Sequence, residues 1–530
     1  MHSLSLRKEL FLTFLLAIFC AFDVSTALAS IWGFTTDDAY ISWLYARQLV
    51  EGNGLQWHTG LSRVEGYSNF LWVLIASLII KLKLPVILSI KIISCFSLGA
   101  GLFFLYRLGR LFVSPLLSIL PVFIFSHFLG VTWWTMSGLE SMFYCALSLL
   151  FIWQCAASFG YQTVEGAQDN QSARVPSTRA WVVTNGVLLL LSLTRFEGTI
   201  WLIPALLFIC CQLRSQKQST FFAQRRTICI WAFITFVCFV IPYTLYFIWR
   251  LNYFGNWIPN SYLCKTISPG QIFVVDFDYL LILMPLIIAS LPYFLSSKDC
   301  RHWLLWVPSV LYAVLLWEAN PVIAHFLRLF LGPMALFSIL PVLGVIRFLN
   351  YFKNKLLDPK LSATGIIVLG TFLFIPGNDP QYLHSLFRQY QERTQIRMKI
   401  VDVLNAQAAH GDSVLFGDCG LVPFATRRDI RFIDVDCLNN TDLTHAPYKN
   451  NLNLYAEYIA SQIKPDWVIT SYNPVTLQGN YLFEILRKKN FYDDYQLITV
   501  LKSGWINDQD LRNPKRTIDY IYKIYKRDKK

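Results

Sequence analysis

The chain has 530 residues, of which 55% are hydrophobic and only 15% charged, and it contains 17 Trp. Soluble domains carry about 25% charged residues, so this composition excludes one and points to a polytopic membrane protein with aromatic rings at the interfaces. A formal charge of +13 would raise nucleic acid as a partner in a soluble protein, but here the basic residues fall in short clusters between apolar runs. Nucleic acid is therefore set aside, and membrane lipids or a lipid phosphate remain as anionic partners.

The first apolar run, Leu10 to Trp32, follows Arg7 and Lys8. Ala27-Leu28-Ala29 resembles a signal-peptide cleavage site. The run is long enough to span, however, and more spans follow, so the reading is an uncleaved first helix. At about 20 apolar residues per crossing, ten further spans are predicted near Pro85–Tyr106, Phe112–Thr132, Met142–Ser158, Ala180–Leu193, Thr199–Leu213, Thr227–Trp249, Phe277–Leu295, Trp303–Trp317, Val322–Ile346 and Leu361–Ile375. The basic clusters Arg7/Lys8, Arg107/Arg110, Arg174/Arg179, Arg214/Lys217/Arg225/Arg226, Lys298/Arg301 and Arg347/Lys353/Lys355/Lys360 then share one side, which is cytoplasmic by the positive-inside rule. The N-terminus is expected inside and the C-terminus outside. Asn69 to Ile80 is apolar but short and is read as a juxtamembrane helix on the outer face.

With that topology several polar segments reach the outer face: the first loop (33–69), Ser137 to Glu140, Arg195 to Gly198, Asn252 to Lys265, and Glu318 to Arg328. Separate segments that deliver acids, cations and amides to one side suggest an active site. Beyond Ile375 the breaker cluster Pro376-Gly377-Asn378-Asp379-Pro380 changes the composition. The expected domains are 1–376, in the membrane, and 377–530, an extracytoplasmic α/β domain. In the latter, helices are predicted over Gln381–Ala409 and Tyr455–Ile463, with strands at Ser413–Phe416, Ile430–Ile433 and Trp467–Thr470.

Asp37-Asp38 directly follows the first span. A charged pair is costly in hydrocarbon, so it belongs at the interface or in a watery cavity. One carboxylate there can act as a general base toward an acceptor hydroxyl. The plain structural alternative is that the acids cap a helix starting at Ala39. The two roles are compatible, one Asp capping and the other facing substrate.

The wider stretch is Asp37-Asp38-Ala39-Tyr40-Ile41-Ser42, Tyr45-Ala46-Arg47, Gly52-Asn53-Gly54-Leu55 and Val64-Glu65-Gly66-Tyr67-Ser68-Asn69-Phe70-Leu71-Trp72. Further on come Ser137-Gly138-Leu139-Glu140, Arg195-Phe196-Glu197-Gly198, Pro259-Asn260-Ser261-Tyr262 with Lys265, and Gly417-Asp418-Cys419-Gly420 with Ile433-Asp434. Together these resemble the bacterial arabinofuranosyltransferase-like family of GT-C glycosyltransferases, with Phe196 where the family has Pro. The resemblance implies a helical polytopic GT-C-like fold with an outer α/β domain, in a bacterial plasma membrane. It also implies transfer of a sugar, such as arabinofuranose, from a polyprenyl-phosphate donor to an envelope glycan or glycolipid acceptor. The rival readings are a lipid-linked sugar flippase or transporter and a non-catalytic envelope-assembly subunit. Ionisable residues gathered at one face favour the enzyme over the flippase.

The expected base is Asp37, with Asp38 as the second choice. Lys265 and Arg328, with His325 as a polar partner, are expected at the donor phosphate, where fixed cations stabilise the leaving group; the competing role for both cations is snorkelling to headgroups. Glu140, Glu197, Arg195, Tyr40, His58 and Asn260 are expected to orient the acceptor. Glu140 has few cations near it in sequence, whereas Glu197 beside Arg195 also reads as a simple ion pair. The 12 Cys show no metal-ligand spacing. No cofactor is implied beyond a divalent ion that Asp37, Asp38 and Glu140 could share. Cys419 and Cys437 lie near strand ends, where an oxidising compartment permits a disulfide.

Overall fold

The computed structural model describes residues 4–58, 63–161, 163, 177–215, 221–265, 274–296, 299–319, 321–351, 358–449, 451–472, 480–502 and 521–528. The chain forms two compact units. One comprises Met1–Trp32, Ile87–Trp249 and Ser268–Leu383, and the other Gly33–Val86, Arg250–Ile267 and His384–Lys530.

The first unit is a helical bundle. Seven of its helices among the described residues are long and apolar enough to cross a membrane, and four shorter apolar helices accompany them. Its outer surface is apolar: Phe14, Phe22, Phe96, Leu245 and Leu295 stand exposed, as side chains do when lipid is the solvent. The protein is a membrane protein. Its polar groups lie inside and tie helices together. Glu9, buried in the Leu6–Ser30 helix, receives Lys360 Nζ at 2.7 Å and the Leu116 N–H at 3.3 Å. Further along the same helix, Asp23 meets His127 Nδ1 at 3.2 Å and Asn378 Nδ2 at 3.1 Å.

Three expected spans are interrupted. The run through Phe112–Thr132 breaks at Phe128, whose extended backbone lets the Leu129 N–H reach Pro376 O at 2.9 Å. Gly377 is required beside this junction, because a Cβ there would lie 2.3 Å from His127 Nε2. The Thr227–Trp249 run carries a π-helical turn at Phe236–Val240. Val322–Ile346 opens instead with a kinked 3₁₀ segment, Pro321–Phe330, in which Phe326 (φ 46°) and Leu327 (φ 55°) are left-handed. Tertiary packing holds this conformation, which apolar composition alone cannot signal.

The second unit is built on a five-stranded mixed sheet. Its strands are β1 (Ser413–Phe416), β2 (Arg431–Asp434), β3 (Trp467–Tyr472), β4 (Tyr495–Leu501) and β5 (Ile521–Arg527), in the order β2-β1-β3-β5-β4. β1 pairs in parallel with β2 and β3, while β5 runs antiparallel to β3 and β4. The parallel half agrees with the predicted strands. β4 and β5 are additions to the three predicted strands. Tyr455, Val468, Leu482 and Leu486 form the core on one sheet face. The Asp37–Val50 helix also belongs to this unit, as does Phe70–Lys81, whose 12 residues extend only about 18 Å, short of a bilayer core of about 30 Å.

Candidate active site

Each unit contains a buried charged cluster. In the bundle, Gly138 (φ 84°) turns the chain so that Glu140 heads the Ser141–Ser158 helix. Glu140 is fully buried and bonds both Arg195 and Arg328, the latter through Nη2 at 3.2 Å. This corrects the expectation of few nearby cations, because tertiary contacts bring two arginines that lie far off in sequence. Arg195 also bonds Glu197 through Nε. The group holds two carboxylates and two guanidiniums, neutral in sum, as a low-dielectric interior demands.

Arg328 is further held by Ser141 Oγ at 3.2 Å and lies 5.2 Å over the Trp134 ring. Its Nη1 carries no hydrogen bond among the described residues. His325 contributes its carbonyl, which accepts from Trp134 Nε1 at 2.9 Å, and its ring lies 4.0 Å from that of Phe326. Trp201 Nε1 donates to Tyr144 OH at 2.9 Å, and that hydroxyl pairs with Tyr312 OH at 2.6 Å.

In the second unit, Thr36 is extended and Asp37 and Asp38 occupy the first turn of the Asp37–Val50 helix, where the helix dipole favours anions. The two acids have different surroundings. Asp37 accepts from the Leu421 N–H at 3.0 Å and the Gly420 N–H at 3.2 Å, and Arg397 Nη1 lies 3.6 Å away. Gly420 permits this approach, because a Cβ there would sit 2.1 Å from Asp37 O. Burial pushes the Asp37 carboxyl above the usual range and Asp418 adds to that, while Arg397 and the Leu421 N–H pull it back. Asp38 makes no hydrogen bond or ion pair among the described residues.

Arg397 also pairs with Asp418 at 3.0 Å, and Asp418 accepts from Tyr522 OH. Asp418 and Cys419 follow β1 and Asp434 ends β2, so this cluster lies at the carboxyl ends of parallel strands, the usual site position in α/β sheets. Buried Asp434 accepts from the Asp436 N–H at 2.7 Å and the Asn439 N–H at 2.8 Å. Burial nevertheless raises its carboxyl to about 6. Asp436 is pushed up by its crowded surroundings, Asp434 and Asp418, though access to water tempers the shift.

The other candidates in this unit are held by the fold. Asn260 Nδ2 donates to Cys437 O at 2.7 Å and Leu438 O at 3.0 Å. His58 is buried and stacked on Phe432 at 5.6 Å; burial, then Arg47, pushes its imidazole down to about 3, so the ring is neutral. Tyr40 packs between Trp43 and Phe424 at 4.8 and 5.4 Å. Lys265 ends the Asn260–Lys265 helix, and its side chain lies outside the described residues. Cys437 bonds Cys264 while Cys419 stays a buried free thiol, so the Cys419–Cys437 pairing is replaced. Among the described residues, no group of three or more His, Cys, Asp or Glu is placed to hold a metal ion. Residue-by-residue reading missed Arg397 altogether, since nothing distinguishes it on a charged helix. Asp418 and Asp434 were visible only as parts of motifs.

Residues 386–525 match a family described as a domain of unknown function (DUF8728). No curated protein matches the sequence. The fold has clear counterparts among solved structures. The apo oligosaccharyltransferase of Archaeoglobus fulgidus superposes with a TM-score of 0.57 at 13% identity, over 95% of this chain and 80% of that one. The same organism's oligosaccharyltransferase AglB, in complex with an inhibitory peptide and a dolichol-phosphate, gives 0.57 at 12% identity, over 97% and 74%. ArnT from Cupriavidus metallidurans, bound to undecaprenyl phosphate, gives 0.52 at 11% identity, over 97% and 98%. The chain has the GT-C fold of these proteins.

Proposed function

We propose that the chain is a membrane glycosyltransferase that moves a sugar from a polyprenyl-phosphate donor to a cell-envelope glycan on the outer face of a bacterial plasma membrane. The fold shared with an oligosaccharyltransferase and with ArnT supports the reaction class, and their dolichol- and undecaprenyl-phosphate complexes support a lipid phosphate as donor. The resemblance of the Asp37–Trp72 stretch supports a pentofuranose such as arabinofuranose. On this reading residues 1–376 are the membrane part, with 33–69 as its outer catalytic loop, and 377–530 are extracytoplasmic.

The observation that carries the mechanism is the contrast between the adjacent acids. Both Asp37 oxygens are engaged by backbone N–H groups, which leaves Asp38 to take the acceptor proton. The acceptor oxygen then attacks the anomeric carbon as the bond to phosphate breaks, and this direct displacement inverts the centre. Arg328 Nη1, which carries no hydrogen bond among the described residues, suits the phosphate oxygens that gain charge, with Lys265 as a second cation. Glu140 then positions Arg328 and does not touch the acceptor.

The test is envelope glycan composition in cells carrying Asp38→Asn, Asp37→Asn or a null allele, with membrane levels measured in each. Asp38→Asn is expected at normal level with transfer reduced about 10²–10⁴-fold, and the missing sugar names the donor. An intact glycan in both variants, with the donor lipid mislocalised only in the null, replaces the transferase with a flippase. Intact glycan in both variants, lost in the null with its donor lipid correctly located, indicates an assembly subunit.

A further inference from the structure

The second unit contains a cleft of 410 Å³ that the mechanism above does not use. Such a volume lies at the small end of ligand sites, about 300–1,000 Å³, and suits a short saccharide better than a polymer. One wall is the segment that carries Asp37 and Asp38: Phe34 precedes them and Tyr40 follows, and both line the cleft. The other wall is a stripe of the Pro380–Gln407 helix, where Tyr390, Gln391, Gln395 and Asp402 recur at helical spacing. The walls are fitted to each other. Gly33 faces Phe387 so closely that a Cβ would sit 2.7 Å from its ring, and Phe34 meets Tyr390 edge-on at 5.1 Å.

The chemistry of the lining selects the occupant. Gln391, Gln395 and Asp402 are exposed and make no hydrogen bond or ion pair among the described residues. An amide both donates and accepts, as a sugar hydroxyl does, and a carboxylate accepts from hydroxyls. Tyr390 supplies a ring for the C–H face of a sugar. An acyl chain would instead have to strip water from Gln391, Gln395, Asp402 and the Lys399 that also lines the cleft, without replacing their hydrogen bonds.

We propose that this cleft binds the acceptor saccharide, with one sugar ring against Tyr390 and its hydroxyls on Gln391, Gln395 and Asp402. The acceptor role rests on the transferase reading above; the saccharide site does not. It would set acceptor specificity beside the base while taking no part in bond breaking.

The test is saturation-transfer NMR on the full-length protein in nanodiscs. The probes are methyl glycosides of glucose, mannose, galactose and arabinofuranose, and a polyprenyl phosphate. At least one glycoside is expected to bind, at least tenfold more weakly to Tyr390→Ala and to Gln391→Ala/Gln395→Ala. The glutamine variants alter only exposed helix positions, so a folding defect will not obscure the result. The proposal is overturned by no glycoside signal, by a signal that the cleft substitutions leave unchanged, or by cleft-dependent binding of the polyprenyl phosphate alone. Transfer activity separates the two readings. Cleft-dependent glycoside binding without transfer keeps the saccharide site and overturns the transferase. Transfer that survives the cleft substitutions overturns the cleft alone.

Discussion

The bundle and the sheet unit handle buried charge differently. Around Glu140 every charge has an opposite partner: Arg195 links Glu140 to Glu197, and Arg328 completes a neutral group of four. Around Asp37 the carboxylates outnumber the cations among the described residues, because Asp37 and Asp418 share Arg397 while Asp434 and Asp436 pair with no cation there. The sheet unit compensates with backbone N–H donors and with carboxyls shifted toward protonation. A bundle in lipid has no such latitude, because an unpaired charge there has no water to retreat to. In an extramembrane domain a carboxyl can be stabilised by loop amides or can take up a proton.

The largest effect should come from breaking the neutral group. Arg195→Met leaves Glu197 without its cation and Glu140 with Arg328 alone. The expected loss is about 3–5 kcal/mol, seen as reduced membrane level and a lower unfolding temperature in detergent. Adding Glu140→Gln should recover part of it. An unchanged unfolding temperature in the single variant would show that the bundle tolerates unpaired charge after all.

Next is Gly420→Ala, which pushes a methyl into the Asp37 backbone. The expected cost is about 1–3 kcal/mol, read by thermal unfolding, with transfer activity lowered in parallel. A tolerated alanine would mean that the close approach of Gly420 to Asp37 is not needed.

The pH response sharpens the contrast further. Asp434 has a folded pKa of about 6, against about 3.9 unfolded. The folded state therefore binds more protons between these values, and its stability falls as pH rises from about 4 to 6, then levels off. Lowering the pH from 7 to 5 should stabilise the sheet unit by about 1–2 kcal/mol from this group. Asp434→Asn should flatten the profile. A profile of opposite slope that Asp434→Asn leaves unaltered would remove Asp434 as the cause.

The smallest effect is expected at the surface. Lys489 and Glu457 pair at 2.7 Å with both side chains well exposed. Lys489→Ala should change stability by less than about 0.5 kcal/mol in the same unfolding measurement. A larger loss would show that surface pairs in this unit matter more than its buried network suggests.

Much of this architecture was legible along the chain. Apolar runs show where most bundle helices lie, because burial in lipid demands long apolar stretches whatever their neighbours. Asp37-Asp38 after the first helix could be singled out because adjacent carboxylates in such a chain need a reason. The three parallel strands could be read from their compact apolar runs. β5 could not, since its charged, alternating residues gain order only from pairing, whereas β4, Tyr-Gln-Leu-Ile-Thr-Val-Leu, carries a β-branched strand signal of its own.

Residue composition alone therefore determined that this is a helical membrane protein with an appended α/β domain and acids at a helix start. Only the tertiary structure decided that Asp37 is engaged, because that depends on the amides of Gly420 and Leu421, more than 380 residues away. It likewise gave Glu140 its two arginines, Asn260 its loop carbonyls and Cys437 its bond to Cys264. Hydropathy is a sum over local residues and survives reading in one dimension. Hydrogen-bond and ion-pair partners are set by which distant segments meet, and no local pattern encodes that.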